Sequence, residues 1–296
     1  MELVINGVYK SFGEKEVLSD VSFKVEGGSA FGLLGRNGAG KTTTIRIIMG
    51  VFAADSGEIL LGGKPIDRSK VGIGYLPEER GLYPKKTIID QLTYLSELKG
   101  MKRSDAVASV DKWLARLEMS EYRNKRLDTL SKGNQQKIQL VTALAHDPQI
   151  VILDEPFSGL DPVNAMLLKD IVREEIGRGK VVIFSSHQMS YIEEFCDSIA
   201  IINRGRVALH GDLRDIKRGY ARDRLIVRAV NTEKIKSDLG TCCADTDDGS
   251  LMIKLNSSEE KHSVMNSLTA KYDIDEIRVY EPTLNDIFVE YAGGSI

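Results

Sequence analysis

The sequence predicts an α/β protein with a mostly parallel central sheet. Three short apolar runs carry this prediction: AFGLL (30–34), IVIL (150–153) and VVIF (181–184). Each run is bounded by glycine, polar or charged residues, and uninterrupted runs of this length are typical of strands that helices cover on both faces. VGIGYL (71–76) is a weaker candidate for a fourth strand of the same sheet.

The first 30 residues have a different pattern, in which apolar and polar residues alternate. Val21, Phe23 and Val25 share one face, and Ser22 and Lys24 share the other, before the glycine pair at 27–28. Strict alternation of this kind is typical of a strand with one exposed face. It predicts an antiparallel β subdomain at the N-terminus.

Helical spacing replaces strand patterns between about residues 87 and 127. Apolar residues recur there every three or four positions, as at Ile88, Leu92 and Leu95. Such spacing puts apolar side chains on one face of a helix. A further helix after residue 131 extends this insertion, so we expect a helical subdomain at about 87–145.

The chain after about residue 215 alternates strand and helix patterns once more. RLIVRAV (224–230), SLMIKL (250–255) and DEIRVY (275–280) are strand candidates, separated by helical patterns at 232–239 and 258–270. We therefore expect a first domain at 1–215 and a small α+β domain at 216–296.

Composition and charge narrow the function classes. The formal net charge is −3 and basic residues are scattered among acidic ones, which argues against nucleic acid as a partner. No apolar run reaches the ~18 residues that span a bilayer, and MELVINGVYK does not resemble a signal peptide, so we expect a soluble, cytoplasmic chain. The three cysteines lack metal-ligand spacing and are expected to be reduced structural thiols.

A phosphate-binding loop follows the first buried strand. GRNGAGKTT (35–43) has the G-x-x-x-x-G-K-[ST] pattern, with a strand before it and a helical run after it. Glycines let the backbone form a nest of N–H groups around phosphates. Lys41 is expected to reach the β- and γ-phosphates, and Thr42 to ligate Mg²⁺. The other predicted phosphate contacts are Gly35, Asn37, Gly38, Ala39, Gly40 and Thr43.

Two carboxylates and a histidine follow the other buried strands. Asp154 and Glu155 come directly after IVIL, and His187 follows VVIF in the sequence FSSH. Ligands bind at this end of the strands in α/β sheets. We assign Asp154 to Mg²⁺, Glu155 to the base that activates water, and His187 to the γ-phosphate. The alternatives are that the two acids only cap the next helix and that the histidine is structural.

LSKGNQQ (130–136) predicts a second anion-binding helix terminus. Ser131 is a good N-cap, and Gly133 permits close approach of another group to the backbone. We expect the helix to continue to Asp147–Pro148, where the proline ends it. A single nucleotide does not need two such termini, so the second one requires its own explanation. The alternative is that LSKG is only a capped helix start.

These motifs, in this order, resemble the nucleotide-binding subunits of ABC transporters, a class of P-loop ATPases. The resemblance covers residues 1 to about 215 and rests on GRNGAGKTT, YLPEE, LSKGNQQ, VILDEP with SGLD (158–161), and SSH. The family signature is usually LSGGQ. Leu130, Ser131 and Gly133 match it, whereas Lys132 and Asn134 depart from it.

The resemblance implies a role for the second anion-binding helix terminus. Two such subunits dimerise head to tail, so that Ser131 and Gly133 would bind the γ-phosphate of an ATP held by the partner's Lys41. The implied cofactors are ATP and Mg²⁺. The implied partners are a second copy or a paired ATPase subunit and a polytopic membrane permease, with no nucleic acid.

Three more positions take roles from the resemblance. Phe12, in KSFGE, matches the aromatic residue that stacks on adenine; the alternative is a core phenylalanine. Asp161 matches the loop that reaches across the dimer. Glu78 stands where the family usually has glutamine, near Mg²⁺ and the attacking water. Because a carboxylate can ligate a metal or take a proton, we assign Glu78 both a metal and a catalytic role.

The direction of transport rests on weaker similarities. YLPEERGLY (75–83) and the closing EPTLNDIF (281–288) resemble an efflux subgroup with a short C-terminal extension. We therefore expect an export ATPase bound through its permease to the inner face of the cell membrane. The alternatives are a soluble ABC-type ATPase that acts on a partner such as the ribosome, and a non-catalytic regulator. The sequence leaves open the role of the C-terminal domain.

Overall fold

The computed structural model describes residues 1–79, 81–220, 223–246 and 248–293. Arg80 of YLPEERGLY and residues 221, 222, 247 and 294–296 of the predicted C-terminal domain lie outside this set. The described residues form two compact units, one of Met1–Leu213 together with 288–293, the other of Arg214–Ile287. The boundaries 1–215 and 216–296 stay a prediction.

The first unit contains two sheets and most of the helices. Its strands are β1 (Glu2–Phe12), β2 (Lys15–Glu26), β3 (Ala30–Leu34), β4 (Ser56–Leu61), β5 (Lys64–Pro65), β6 (Ile73–Leu76), β7 (Ile150–Asp154), β8 (Val181–Ser185), β9 (Ser198–Asn203) and β10 (Arg206–Asp212). Its helices are α1 (Lys41–Ile48), α2 (Ile88–Leu98), α3 (Arg103–Arg116), α4 (Lys132–Leu144), α5 (Pro162–Gly177) and α6 (Met189–Phe195).

The N-terminal strands form an antiparallel sheet in the order β2-β1-β4-β5. The alternation in β2 has its expected effect, because Val21, Phe23 and Val25 are buried while Lys24 faces outward. The predicted antiparallel N-terminal subdomain is confirmed.

The central sheet has the order β10-β9-β3-β8-β7-β6. All its neighbouring strands are parallel except β10, which runs antiparallel to β9. The three apolar runs are adjacent in it as β3, β8 and β7, and every residue of these strands is buried. The predicted mostly parallel sheet is confirmed, and the weaker candidate is its edge strand β6.

The parallel register brings three loops to the same sheet edge. Leu33 pairs with Ser185 across β3 and β8, and Asp154 pairs with Ser185 across β7 and β8. The loops that follow these strands are therefore neighbours. The phosphate-binding loop, the acidic pair and the histidine start from adjacent strand ends.

Apolar packing fixes the two sheets against each other. Phe23 of the first sheet stacks on Phe31 of the second, with ring centroids 5.1 Å apart. Leu33, Ile45 and Ile183 are fully buried in the same core cluster. Burial of each such side chain stabilises the fold by about 1.5–3 kcal/mol relative to exposure, so the strand ends rest on a rigid base.

The helical insertion consists of α2, α3 and α4. Thr87 caps α2 by accepting a hydrogen bond from the backbone of Asp90. The prediction that α4 runs to Asp147–Pro148 is wrong, because the helix ends at Leu144. A residue before proline avoids the α conformation, and Asp147 adopts a left-handed φ of 49°. Its carboxylate accepts a hydrogen bond from Lys180 at 2.6 Å.

The second unit contains an antiparallel sheet and several helices. Its strands are β11 (Arg224–Ala229), β12 (Cys243–Asp245), β13 (Leu251–Lys254) and β14 (Ile274–Val279), in the order β12-β13-β11-β14. Helix α7 (Leu213–Gly219) precedes them, and α8 (Thr232–Leu239) and α9 (Lys261–Lys271) lie between them in sequence. The chain ends with α10 (Leu284–Ala292). The predicted α+β character is confirmed.

Candidate nucleotide site

A cavity of about 890 Å³ opens at the edge where the loops after β3, β7 and β8 meet. It is large enough for a small organic ligand. The predicted site residues that line it are Asn37, Gly38, Gly40, Lys41, Thr42, Thr43, Glu78, Asp154, Glu155 and His187.

The phosphate-binding loop ends at the start of α1, whose N-cap is Gly40. Gly38 has a left-handed φ of 80°, and a Cβ added to it would meet nothing within 4 Å. Its glycine therefore leaves open space above the loop backbone. Two predicted contacts have other surroundings: Gly35 approaches Ile202 of β9, and the Ala39 carbonyl accepts a hydrogen bond from the Gly205 backbone at 2.9 Å.

Lys41 lies among three carboxylates. Its Nζ donates to the Gly35 carbonyl at 2.6 Å and to the Arg36 carbonyl at 3.3 Å. Burial lowers the pKa of Lys41, and the charges of Asp154, Glu155 and Glu78 oppose this effect. The Lys41 ammonium is thus a positive charge close to three carboxylates.

Asp154 is a buried carboxylate at the end of β7. The Tyr75 hydroxyl donates to its Oδ2 at 3.4 Å. Burial raises the pKa of Asp154, the charges of Glu78 and Glu155 raise it further, and a hydrogen bond from Ser185 and the charge of Lys41 oppose the rise. A cation at this position would relieve the cost of keeping the carboxylate ionised.

The oxygen donors around Asp154 fit a magnesium ion that also contacts phosphate. Thr42, Asp154 and Glu78 line the same cavity and offer only oxygen ligands. Within the described ranges, no three or more His, Cys, Asp or Glu side chains form a metal cage of their own. Mg²⁺ is usually held by one or two carboxylates together with substrate phosphates, so this donor set suits it.

Glu155 is the most constrained carboxylate in the cavity. It adopts a left-handed φ of 48° and is only 7% exposed. The Ser186 hydroxyl donates to its Oε2 at 2.8 Å, and the backbone N–H of His187 donates to its Oε1 at 2.7 Å. The His187 Nδ1 lies 2.7 Å from the same Oε1. Neither Asp154 nor Glu155 caps the next helix, because Asp161 does so.

Ser131 and Gly133 lie outside this cavity, at the start of α4. The Ser131 side chain is exposed and accepts a hydrogen bond from the Asn134 backbone at 3.3 Å. A Cβ added to Gly133 would come no closer than 3.8 Å to any neighbour, and its φ is not left-handed. The fold of this chain therefore does not require glycine at position 133.

Phe12 and Asp161 also lie outside the residues that line the cavity. Phe12 is 43% exposed, which excludes the core alternative. Its ring meets Phe52 edge-on, with centroids 5.2 Å apart. Asp161 is the N-cap of α5 and accepts a hydrogen bond from the Asn164 backbone at 2.9 Å. Hydrogen bonds from Asn164 hold the pKa of Asp161 below its usual value.

Sequence reasoning missed several residues of the cavity wall. The sequence does contain a signal for Ser185, because this residue ends a buried strand and directly precedes Ser186 and His187. Arg204 and Gly205 form the turn between β9 and β10, two strands that the sequence analysis did not identify. The remaining missed residues are Lys15, Glu16, Val17 and Arg36.

Comparison with known proteins places this geometry in a family. A family model described as ABC transporter matches residues 18–158, which contain the phosphate-binding loop, Glu78, the start of α4 and both acids. The ABC transporter ATP-binding protein YhaQ of Bacillus subtilis is 40% identical, over 98% of both chains. The chain belongs to the ABC transporter ATP-binding proteins.

Other similarities extend over the rest of this ABC subunit. A second family model, described as ATP-binding protein DrrA1-3-like, C-terminal domain, matches residues 211–292. The linearmycin resistance ATP-binding protein LnrL of Bacillus subtilis is 30% identical, over 99% of both chains. A solved ATP-binding subunit of an ABC transporter is 30% identical with a TM-score of 0.67, and the match covers 74% of this chain and 92% of that one.

Membership of the family gives the coarse function. The chain is an ATP-binding subunit of an ABC transporter and an ATP hydrolase with the P-loop fold. ABC ATP-binding subunits work as dimers with a membrane permease. None of the helices in the described part of the chain is both long and apolar enough to cross a bilayer.

Proposed function

We propose that this ABC subunit pairs head to tail with a second copy, encloses two ATP molecules and drives export through a separate membrane permease. The Gly133 environment carries the first part of the proposal. Its glycine is not needed by its own chain, and it stands with Ser131 at an exposed helix N-terminus. Backbone N–H groups at such a terminus bind anions, so a phosphate on another chain accounts for both residues.

The catalytic step follows from the contacts around Glu155. This carboxylate orients and deprotonates the attacking water, since it lines the cavity beside the phosphate-binding loop. Ser186 and the His187 backbone hold it in one orientation. Lys41 stabilises charge on the transferred phosphoryl group, and the other ring nitrogen of His187 is available for the same role.

Magnesium is proposed to bind in the same cavity. The Thr42 hydroxyl, Asp154 and Glu78 would hold it, and it would neutralise charge on the β- and γ-phosphate oxygens. Asp154 contributes a buried carboxylate at the end of β7. Glu78 adds a second negative charge where the family usually has a neutral amide, so this subunit binds the metal with more protein charge.

Two residues outside the cavity wall take the remaining roles. Phe12 offers an exposed ring that stacks on adenine. Asp161 begins α5 close in sequence to Glu155, and its loop meets the second subunit. Together these residues extend the site beyond the phosphates.

The permease is proposed to bind the start of the helical insertion and the loop before it. Tyr83 and Tyr94 are 55% and 51% exposed and line a shallow cavity of about 350 Å³ together with Lys86, Asp90 and Gln91. Exposed aromatic side chains around such a depression are typical of a protein contact site. The permease would hold the subunit at the inner face of the cell membrane. Export is supported by YLPEERGLY and by a relative named for linearmycin resistance.

Co-purification from detergent-solubilised membranes tests the permease. The tagged chain is expected to elute with a polytopic membrane protein in stoichiometric amount. Tyr83→Ala with Tyr94→Ala should lose that protein and keep ATP hydrolysis, whereas the control Tyr122→Ala should retain both. Ribosomal proteins in place of a membrane protein would support the soluble ATPase instead.

A further inference from the structure

Two neighbouring thiols meet on one side of the backbone in the second unit. Cys242 ends the short helical turn Gly240–Cys242, and Cys243 begins β12. Side chains of neighbouring strand residues point to opposite faces. Because the turn interrupts this alternation, the two Sγ atoms lie 4.0 Å apart.

Both thiols are partly exposed. The Cys242 Sγ donates to the Leu239 carbonyl at 3.1 Å. Burial and the neighbouring thiol raise the pKa of Cys243 to about 11, while the charge of Lys236 opposes the rise. Lys236 itself forms an ion pair with Asp245. The Cys243 thiol is therefore protonated at neutral pH.

The number of ligands limits what this pair can bind. Over the described part of the chain, no carboxylate or imidazole joins the two sulfurs in a group of three potential metal ligands. Zinc sites in proteins need three or four such ligands. A disulfide would require the two sulfurs to lie about 2.05 Å apart. A single atom bonded to both sulfurs would let them stay further apart.

We propose that Cys242 and Cys243 form a two-thiol site that chelates trivalent arsenicals. An arsenical of the form R–As(OH)₂ loses both As–O bonds and gains two As–S bonds. Each thiol gives up its proton, and two water molecules leave. Arsenic stays trivalent, so no oxidant or reductant takes part. The product is one ring that contains arsenic, both sulfurs and the backbone between the two residues.

Phenylarsine oxide is the probe for this site. The full chain is mixed with it, and intact mass is measured before and after a monothiol is added, then after a 1,2-dithiol. The wild-type protein should take up one phenylarsenic group per chain, resist the monothiol and release the group to the 1,2-dithiol. The third thiol supplies the control: Cys196 is buried, and Cys196→Ala should behave as the wild type does.

Single substitutions decide the assignment. Cys242→Ser and Cys243→Ser should each lose the monothiol-resistant product, and their far-ultraviolet circular dichroism should match that of the wild type. Retention of the product by either variant would overturn the proposal, as would its loss in Cys196→Ala. A product with the mass of two chains and one arsenic would also overturn it, since the ring must close within one chain.

Discussion

His187 and Glu155 meet at one carboxylate oxygen. The backbone N–H of His187 donates to Oε1 of Glu155 at 2.7 Å, and the ring Nδ1 lies 2.7 Å from the same atom. The other oxygen, Oε2, accepts from the Ser186 hydroxyl at 2.8 Å. A carboxylate has about four acceptor positions, so Oε2 keeps more free capacity than Oε1. We infer that Oε2 is the atom that takes the proton from water.

The first prediction concerns Glu155. Glu155→Gln keeps the shape of the side chain and removes its basicity, so hydrolysis should slow by about 10²- to 10⁴-fold. ATP-bound dimers should accumulate, measured by size-exclusion chromatography with light scattering. Glu121→Gln is the control, because Glu121 is exposed and does not line the cavity. Near-normal turnover in Glu155→Gln would refute the base assignment.

The second prediction tests whether the site is shared between chains. Ser131→Ala and Lys41→Ala subunits should each be nearly inactive alone. When they are mixed, the mixed dimer contains one site in which both residues are intact, so a fraction of the ATPase activity should return. Steady-state phosphate release measures it. Normal hydrolysis by Ser131→Ala alone would show that the hydroxyl has no part in the reaction.

The third prediction separates function from folding at Gly133. A Cβ there meets only ordinary contacts at 3.8 Å and beyond, and alanine favours a helix over glycine by roughly 0.4–1 kcal/mol. Gly133→Ala should therefore melt no lower than the wild type but hydrolyse ATP more slowly. The matched control is Gly177→Ala in α5, where a Cβ would also be unobstructed. Equal activity in both variants would remove the case for a partner's phosphate at Gly133.

The fourth prediction concerns Phe12. Its exposed ring contributes little to the core, so Phe12→Ala should change the melting temperature only slightly. Loss of stacking, worth about 1–3 kcal/mol per base, should weaken ATP binding and leave turnover at saturating ATP largely intact. Fluorescence titration with a labelled ATP analogue measures the affinity. Phe12→Trp should restore it, and unchanged affinity in Phe12→Ala would mean that the ring does not contact adenine.

The fifth prediction concerns stability in acid and depends on His146. Burial, with a further contribution from the charge of Lys99, lowers the pKa of His146 from 6.5 to about 4. Its Nε2 lies 3.3 Å from the Ile73 carbonyl, and its Nδ1 is buried without a partner. The unfolded chain therefore binds a proton between these pH values and the folded chain does not.

The sign follows from that difference in proton binding. The His146 contribution is fully present above pH 6.5 and is lost as the pH falls through about 4; the loss is about 3 kcal/mol. His146→Gln keeps a donor for the Ile73 carbonyl and should lose less stability between pH 6.5 and 4, measured by urea unfolding. His210→Gln, at an exposed position in β10, is the control. An equal acid loss in His146→Gln and the wild type would rule out this histidine.

Local pattern was enough to predict much of the fold. Continuous apolar runs predicted β3, β7 and β8, and alternation predicted the antiparallel start of the chain. The strands β9 and β10 were missed, although SIAIIN is itself a buried apolar run. β10 alternates exposed and half-buried residues at the sheet edge, so its signal is weak. The end of α4 differs from the prediction, because the helix stops at Leu144, three residues before Asp147, and not at the proline.

The site residues that belong to sequence motifs were predictable. Residues that reach the cavity only through long-range strand pairing were not. Lys41, Asp154, Glu155 and His187 lie at or just after the ends of strands that are neighbours in the sheet, so their shared cavity follows from topology. Arg204 and Gly205 reach the cavity only because β9 lies beside β3. Long-range strand pairing of this kind cannot be predicted from the local sequence pattern. The position of Ser131 relative to a second chain is likewise a property of the assembly.

The turn at Gly205 bears on how genetic screens of this protein should be read. A side chain at this position would come within 2.3 Å of the Val17 carbonyl, and its backbone N–H supports the Ala39 carbonyl of the phosphate-binding loop. In a screen that selects for ATP binding, a substitution there would score as a loss, as one at Lys41 would. A mutational map would then mark position 205 as catalytic, although the residue does no chemistry. Nucleotide affinity measured alongside heat tolerance would tell a disturbed support from a missing reactive group.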